Sequence, residues 1–307
     1  MRRVALLTST FAKEAKTPLE LLKKEDLEIR SNPYGRKVSA SELAVLAQGA
    51  VGVIAGLEEY SAGVLKGLPS LRVISRCGIG LDNVDMMAAR RMGIKVYTTP
   101  DAVTSAVAEL TLGFMLSLLR KVGQMDRRLH AGKWSKEIGY LLARKRVGII
   151  GLGRVGSQVA ELLTVFKSSI AFTDSNTKIF NRSWTRKSLQ RLLAWADIVT
   201  LHCWGQKNGR PLLGAKELGR MKKGAWLINT SRGNLVDEKA LYAALKTGKL
   251  SGAALDVFAE EPYHGKLSKL ENVVLTPHIG SYAKEARIQM ELEAARNLIK
   301  GLQVSTK

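Results

Sequence analysis

The chain has 307 residues, 46% hydrophobic and 24% charged, an ordinary globular composition with room for two domains. Its formal charge of +21 is uneven, because 22 Lys and Arg stand against 6 Asp and Glu between Arg120 and Lys223. Without a helix-turn-helix, zinc-finger or RNA-recognition signature, that stretch reads as a solvated basic face drawing in small anions, and nucleic acid is not an expected partner.

The start, "MRRVALLTST", carries only a strand-sized apolar run, Val4–Leu7, too short for a signal peptide. No apolar run is read as reaching the ~18 residues that span a membrane. Cys77 and Cys203 make no disulfide framework and have no metal-ligand spacing. The expected location is the cytoplasm. Further strands are predicted near Leu27–Ile29, Val51–Ala55, Val73–Ser75 and Lys95–Tyr97. Helices lie between them, such as Ser41–Ala47, capped by Ser39 or Ser41, and Asp85–Arg91. After Thr99-Pro100 a longer helix is predicted from about Ser105 to Arg120, with Val107, Leu110, Phe114 and Leu118 on one face. Such an apolar face should pack between domains or against a second subunit. A second series follows, with strands near Val147–Ile150, Ile170–Thr173, Ile198–His202, Ala225–Ile228, Ala253–Val257 and Val273–Leu275. A final helix runs from about Ala283 to Ile299. Alternating short strands and helices specify an α/β fold with parallel sheets, here two versions of one architecture.

"RVGIIGLGRVGSQVAELL" is the strongest local signal. Gly151, Gly153 and Gly156 follow an apolar strand and open a helix, the context a dinucleotide-binding turn needs. Gly151 permits the tight turn, Gly153 admits a pyrophosphate to the backbone, and Gly156 lets helix and sheet pack closely. The helix N-terminus then presents free N–H groups to phosphate. The next strand, "SIAFTD", ends in Asp174, an acid placed to bind the ribose diol of NAD and repel a 2′-phosphate. Ser175 and Asn176 after it offer no guanidinium for NADP. NAD is the expected cofactor.

Three polar residues stand just past strand ends of this second series: Arg232 after "WLINTS", Glu261 in "LDVFAEEPY" and His278 in "VVLTPHIG". Strand carboxyl ends of one sheet converge on one crevice, so they can meet across 46 residues of sequence. Histidine is the side chain best suited to move a proton near neutral pH. A carboxylate on its other ring nitrogen fixes the tautomer. Arginine offers a planar fork to a substrate carboxylate, and the turn at Gly233 is expected to lead the backbone away from it. Beside a nicotinamide, this set describes interconversion of a 2-hydroxy acid and a 2-oxo acid. Asp256, at its strand end, is expected at the nicotinamide carboxamide or as a loop cap. His130 sits in a basic helical pattern, His202 ends a strand and His264 lies in a polar loop.

In order, "SRCGIGLDNVD", "AVAELT", "GLGRVG", "INTSRGNLVDE", "AALDVFAEEP" and "TPHIG" make the chain resemble the D-isomer-specific 2-hydroxyacid dehydrogenases, in their phosphoglycerate dehydrogenase-like branch. The resemblance implies two Rossmann/flavodoxin-like domains, the second inserted in the first. Residues 1–99 and 284–307 would bind substrate, and residues 100–283 would bind NAD. It implies Arg232 as substrate clamp, Glu261 as partner of the histidine and His278 as acid/base. It places Arg154, Val155, Asp174, Thr230 and Asp256 at the NAD, and the backbone of Gly78, Ile79 and Gly80 at the substrate carboxylate. No metal is implied. A homodimer built on the helix after Pro100 is.

The chain departs from the family at "HCWGQ", where Trp204 and Gln206 replace the usual Pro and Thr. Val103 stands where many relatives have Asn. "AGLEEYS" carries Glu58 and Glu59 but no Arg for a phosphate. The expected substrates are 3-phosphoglycerate and glyoxylate or hydroxypyruvate. An NAD(H)-sensing binding protein, like the corepressors on this fold, is the alternative.

Overall fold

Alternation of apolar runs and amphipathic helices builds the first unit, Met1–Val103 with Ser281–Lys307, around a five-stranded parallel sheet. The computed structural model describes residues 1–176, 183–205 and 209–304. Along the chain come β1 (Arg2–Leu6), α1 (Thr17–Lys23), β2 (Leu27–Ser31), α2 (Ala40–Leu46), β3 (Gly52–Ala55), α3 (Ala62–Lys66), β4 (Val73–Arg76), α4 (Met86–Arg91) and β5 (Lys95–Tyr97). The strand order is β2-β1-β3-β4-β5. Ser39, not Ser41, caps α2: its hydroxyl accepts from the Glu42 N–H while the Glu42 carboxylate takes the Ser39 N–H.

Next come α5 (Pro100–Arg120), α6 (Val122–His130), β6 (Arg146–Ile150), α7 (Arg154–Val165), β7 (Ser169–Thr173), β8 (Thr185–Arg186), α8 (Leu189–Trp195), β9 (Ile198–Leu201), α9 (Ala215–Arg220), β10 (Ala225–Asn229), α10 (Glu238–Lys246), β11 (Leu250–Leu255), β12 (Val273–Leu275) and α11 (Lys284–Val304). The second unit, Thr104–Gly280, carries the seven-stranded parallel sheet β12-β11-β10-β9-β6-β7-β8. The strand order reverses at β6, so the crevice between the carboxyl ends of β6 and β9 is the ligand position of this architecture. α11 returns to the first sheet, where the Ser75 hydroxyl donates to the Ala294 carbonyl at 2.7 Å.

Several bounds differ from those read in the sequence. α5 starts at Pro100 rather than Ser105, because proline at the first helical position loses no hydrogen bond. β9 stops at Leu201, leaving His202 in the loop. β11 ends at Leu255, so Asp256 and Val257 lie beyond it. The units divide at 103/104 and 280/281, against expected boundaries at 99/100 and 283/284.

Against the expectation that no segment is long enough, α5 alone among the described helices has the length and apolarity to cross a membrane. Phe114, Met115 and Leu119 on this helix belong to the core of the second unit, with Val147, Ile149 and Ile228 from its sheet. Each such fully buried side chain contributes roughly 1.5–3 kcal/mol, which accounts for the composition of α5. The basic stretch is also partly compensated: Lys121 and Arg128 both bind Glu137, and Lys222 meets Asp197 at 2.7 Å.

Candidate active site

β6 delivers the glycine turn to the reversal of strand order. Gly151 takes φ +94°, and a Cβ there would lie 2.5 Å from the His202 carbonyl oxygen, so only glycine fits. A Cβ on Gly156 would lie 2.0 Å from the Gly151 oxygen, which explains the close helix–sheet contact. Gly153 has open space beside it, and no side chain caps α7. The free N–H groups at the start of α7 therefore face open space suited to an anion.

Asp174 stands at the end of β7. Its Oδ2 accepts the Leu152 N–H at 2.7 Å and its Oδ1 the Asn176 N–H at 2.8 Å. An ionised carboxylate has about four acceptor positions, so ribose hydroxyls can still donate to it. Space at Gly153, an uncapped helix and an acid beside them fit a dinucleotide with a free 2′-hydroxyl. Thr230 is buried, with its hydroxyl 3.0 Å from that of Thr111. Because Thr111 donates to the Val107 carbonyl, its oxygen is left to accept from Thr230. Arg154 is exposed and Val155 half-buried at the start of the same helix.

The structure brings Glu261 and His278 together: Glu261 Oε2 lies 2.8 Å from His278 Nδ1, and its Oε1 accepts the Phe258 N–H at 3.0 Å. His278 takes φ +55°, a left-handed conformation. Asp256 anchors the turn that carries it. The buried Asp256 carboxylate accepts from the Thr276 hydroxyl at 2.5 Å and from the N–H groups of Ile279 and Gly280, both at 2.7 Å. Burial pushes its pKa up, and those donors oppose the rise. Its partners in the structure are thus the histidine turn, where the sequence had pointed to the nicotinamide amide.

Arg232 begins a single 3₁₀ turn, Gly233–Leu235, after β10. Buried Asn229 holds this turn, donating to the Arg232 carbonyl at 2.8 Å and accepting the Ser231 N–H at 3.1 Å. Sequence reasoning passed over Asn229, although an Asn closing an apolar strand is a turn signal. Gly233 is required for a different reason than expected. A Cβ there would lie 1.8 Å from the Phe258 carbonyl carbon, so it serves close packing, not a change of direction. The Arg232 guanidinium lies over the Trp204 ring, 5.0 Å from its centroid. Gln206 lies outside the described residues.

His202 bonds the Thr200 hydroxyl through Nε2 at 2.9 Å, and burial drives its pKa down to about 3. His130 pairs with Asp126 on α6, and His264 is in a loop. A cavity of about 250 Å³ lined by Lys121, Gln124, Glu137, Tyr140 and Trp226 lies at the amino ends of the strands, away from this chemistry.

In the first unit the turn after β4 carries Gly78, Ile79 and Gly80. Thr99 takes both backbone groups of Gly78, accepting its N–H at 2.8 Å and donating to its carbonyl at 3.0 Å. Among the described residues no acceptor meets the N–H of Ile79 or Gly80.

Residues 112–280 match the family described as "D-isomer specific 2-hydroxyacid dehydrogenase, NAD binding domain". A glyoxylate reductase of Thermofilum pendens is 41% identical over 256 residues, covering 79% of this chain and 75% of its own. A hydroxypyruvate reductase of Thermotoga maritima is 34% identical over 288 residues, covering 92% of this chain and 93% of its own. The crystal structure of the TT0316 protein from Thermus thermophilus superposes with a TM-score of 0.90 at 34% identity, covering 98% of this chain and 97% of that one. On these matches the chain belongs to the D-isomer specific 2-hydroxyacid dehydrogenases and carries their NAD-binding domain.

Proposed function

We propose that the protein is an NAD-dependent oxidoreductase interconverting a small D-2-hydroxy acid and its 2-oxo acid, of the glyoxylate or hydroxypyruvate type. The observation that carries this reading is the Glu261–His278 pair, 2.8 Å apart and on the same sheet as the glycine turn. Bound at that turn, NAD supplies the acceptor or donor of a hydride at C2.

The rest is done by the chain's own groups. Gly153, Arg154, Val155 and Gly156 would hold the pyrophosphate, with Asp174 at the ribose and Thr230 accepting through its oxygen. Glu261 occupies His278 Nδ1, which leaves Nε2 to give a proton to the C2 oxygen in reduction and to take it back in oxidation. Arg232 binds the substrate carboxylate through its fork and draws electron density from the C2 oxygen. Asp256 holds the His278 turn in place. For the first unit, carboxylate binding is assigned to the N–H groups of Ile79 and Gly80, because Thr99 already engages Gly78.

The protein is taken to act in the cytoplasm as a homodimer built on α5. Trp134, Ile138 and Leu141, exposed at 80%, 91% and 69% in the segment after α6, support an extended apolar contact there. NADH consumption against a panel of 2-oxo acids tests the reading. Turnover of a small 2-oxo acid is expected, and absence of turnover on every acid would move the protein to the NAD(H)-sensing class.

A further inference from the structure

Trp204 replaces the family's usual proline with the largest side chain available, and leaves it 59% exposed. An indole left in water needs a reason beyond core packing. Two loops supply its setting. The Ser231 hydroxyl donates to the Cys203 carbonyl at 2.7 Å, tying the loop after β9 to the loop after β10. A Cβ on Gly205 would come within 3.1 Å of the Asn234 side chain, so the loops also touch on the far side of Trp204. Within this latch the indole face lies on the Arg232 guanidinium, with Cζ 5.0 Å from the ring centroid.

A guanidinium has flat faces and an edge that bears its donors. A ring on one face fixes the plane without using the edge. Arg232 already donates to the Ser231 carbonyl through Nη1 at 2.7 Å, so two constraints act on the group: a stacked face and a pinned donor. We infer that Trp204 is a positioning residue, whose indole holds the Arg232 fork in the plane that receives the substrate carboxylate. The inference rests on Arg232 being the carboxylate clamp. A phenyl ring retains a negative face, whereas leucine fills space without one.

Steady-state kinetics on glyoxylate, NADH titration and thermal unfolding are compared for the parent, Trp204→Phe, Trp204→Leu, Arg232→Lys and the Trp204→Leu/Arg232→Lys pair. Trp204→Leu is expected to lower kcat/KM by about 3- to 30-fold, the range of a cation–π contact, chiefly through KM. NADH affinity and Tm should stay at parental values, and Trp204→Phe should recover most of the loss. In the Arg232→Lys background, Trp204→Leu should cost little more, since the planar fork is already gone. Adding glyoxylate should also change an indole emission that is missing in Trp204→Phe.

An impaired Arg232→Lys beside a Trp204→Leu of parental kcat/KM would overturn the positioning role and leave the clamp standing. Parental kinetics in Arg232→Lys would overturn the clamp, and the inference with it. Loss of NADH affinity or Tm in Trp204→Leu matching its loss in kcat/KM would make the residue structural, and would also overturn the inference.

Discussion

Glu261 grips its own loop and His278 at once, accepting the Phe258 N–H at 3.0 Å through Oε1 and meeting His278 Nδ1 at 2.8 Å through Oε2. The backbone contact fixes where the second oxygen points, and that oxygen fixes the ring. His278→Gln should therefore lower kcat by roughly 10²–10⁴-fold, the usual worth of a positioned acid/base, with NADH binding retained. Glu261→Gln has one acceptor oxygen for two donors, so a smaller loss is expected. Glu260 is exposed beside it, and Glu260→Gln should behave as the parent. The check is steady-state kinetics beside NADH titration. Parental kcat in His278→Gln would remove it from the chemistry.

Asp256 supports that histidine from the other side. It accepts from Thr276, Ile279 and Gly280, and an Asn amide would turn an NH₂ toward one of these N–H groups. Asp256→Asn should cost about 1–3 kcal/mol of stability through a buried unmatched donor, and should lower kcat because the His278 turn loosens. Thr276→Val removes one donor and should cost less. Thermal unfolding and kcat measured on both variants decide it. Unchanged kcat in Asp256→Asn would show that the turn holds without it.

The strand-end rule explains how much of this could be read beforehand. Apolar periodicity fixes which runs are strands, and parallel connection fixes that Arg232, Glu261 and His278 emerge at one end of one sheet. The spacing of Gly151, Gly153 and Gly156 likewise encodes a local turn. What stayed hidden depends on loop paths. Nothing in the spacing of Asp256 says that its carboxylate meets the N–H groups of residues 279 and 280. Gly233 looked like a turn residue, but the backbone it must avoid belongs to residue 258, on another strand end. Trp204 was visible only as an oddity, because its partner is 28 residues away in sequence.

His202 gives a pH prediction. Burial holds its folded pKa at about 3, below the ~6.5 of an unfolded histidine. The unfolded chain therefore binds the proton first as pH falls, and stability drops from about pH 6.5 downward until the folded group also titrates. At pH 5 the contribution is about 1–2 kcal/mol. His202→Gln should show a flatter fall of Tm between pH 7 and pH 5 (both ~values chosen to bracket the unfolded pKa). An identical slope in parent and variant would show that His202 is not buried as a neutral ring.

Cofactor choice should rest on Asp174. Its carboxylate opposes a 2′-phosphate, while Arg186 donates to the Asp174 carbonyl at 2.5 Å and the Asn176 carbonyl at 3.2 Å. The parent should bind NADH more tightly than NADPH, by about 5- to 150-fold for a coupling of ~1–3 kcal/mol. Asp174→Ser should weaken NADH and narrow that ratio, with the neighbouring guanidinium able to meet the added phosphate. Fluorescence titration with both dinucleotides measures it. Tighter NADPH binding by the parent would contradict the assignment.

Substrate choice should be set in the first unit by Glu58. It follows β3, which pairs in parallel with β4, and the next turn carries Ile79 and Gly80. Glu58 is 2% exposed and accepts the Gly56 N–H at 2.6 Å. Glu58 and Arg76 act with opposite sign on both the Tyr60 hydroxyl and the Cys77 thiol, which burial pushes up, Cys77 to about 12. Arg287 is likewise matched, by Glu291 at 2.8 Å. These two cations at this sheet end thus share it with buried acids, leaving little net positive charge for a phosphate. The parent should prefer glyoxylate or hydroxypyruvate over phosphohydroxypyruvate by at least ~10²-fold in kcat/KM, since like charges held close cost several kcal/mol. Glu58→Gln should narrow that gap by about tenfold, the effect of ~1.4 kcal/mol, while kcat/KM on glyoxylate changes little. Parallel kinetics on the three acids are the test, and a parent that prefers the phosphorylated acid would refute the role given to Glu58.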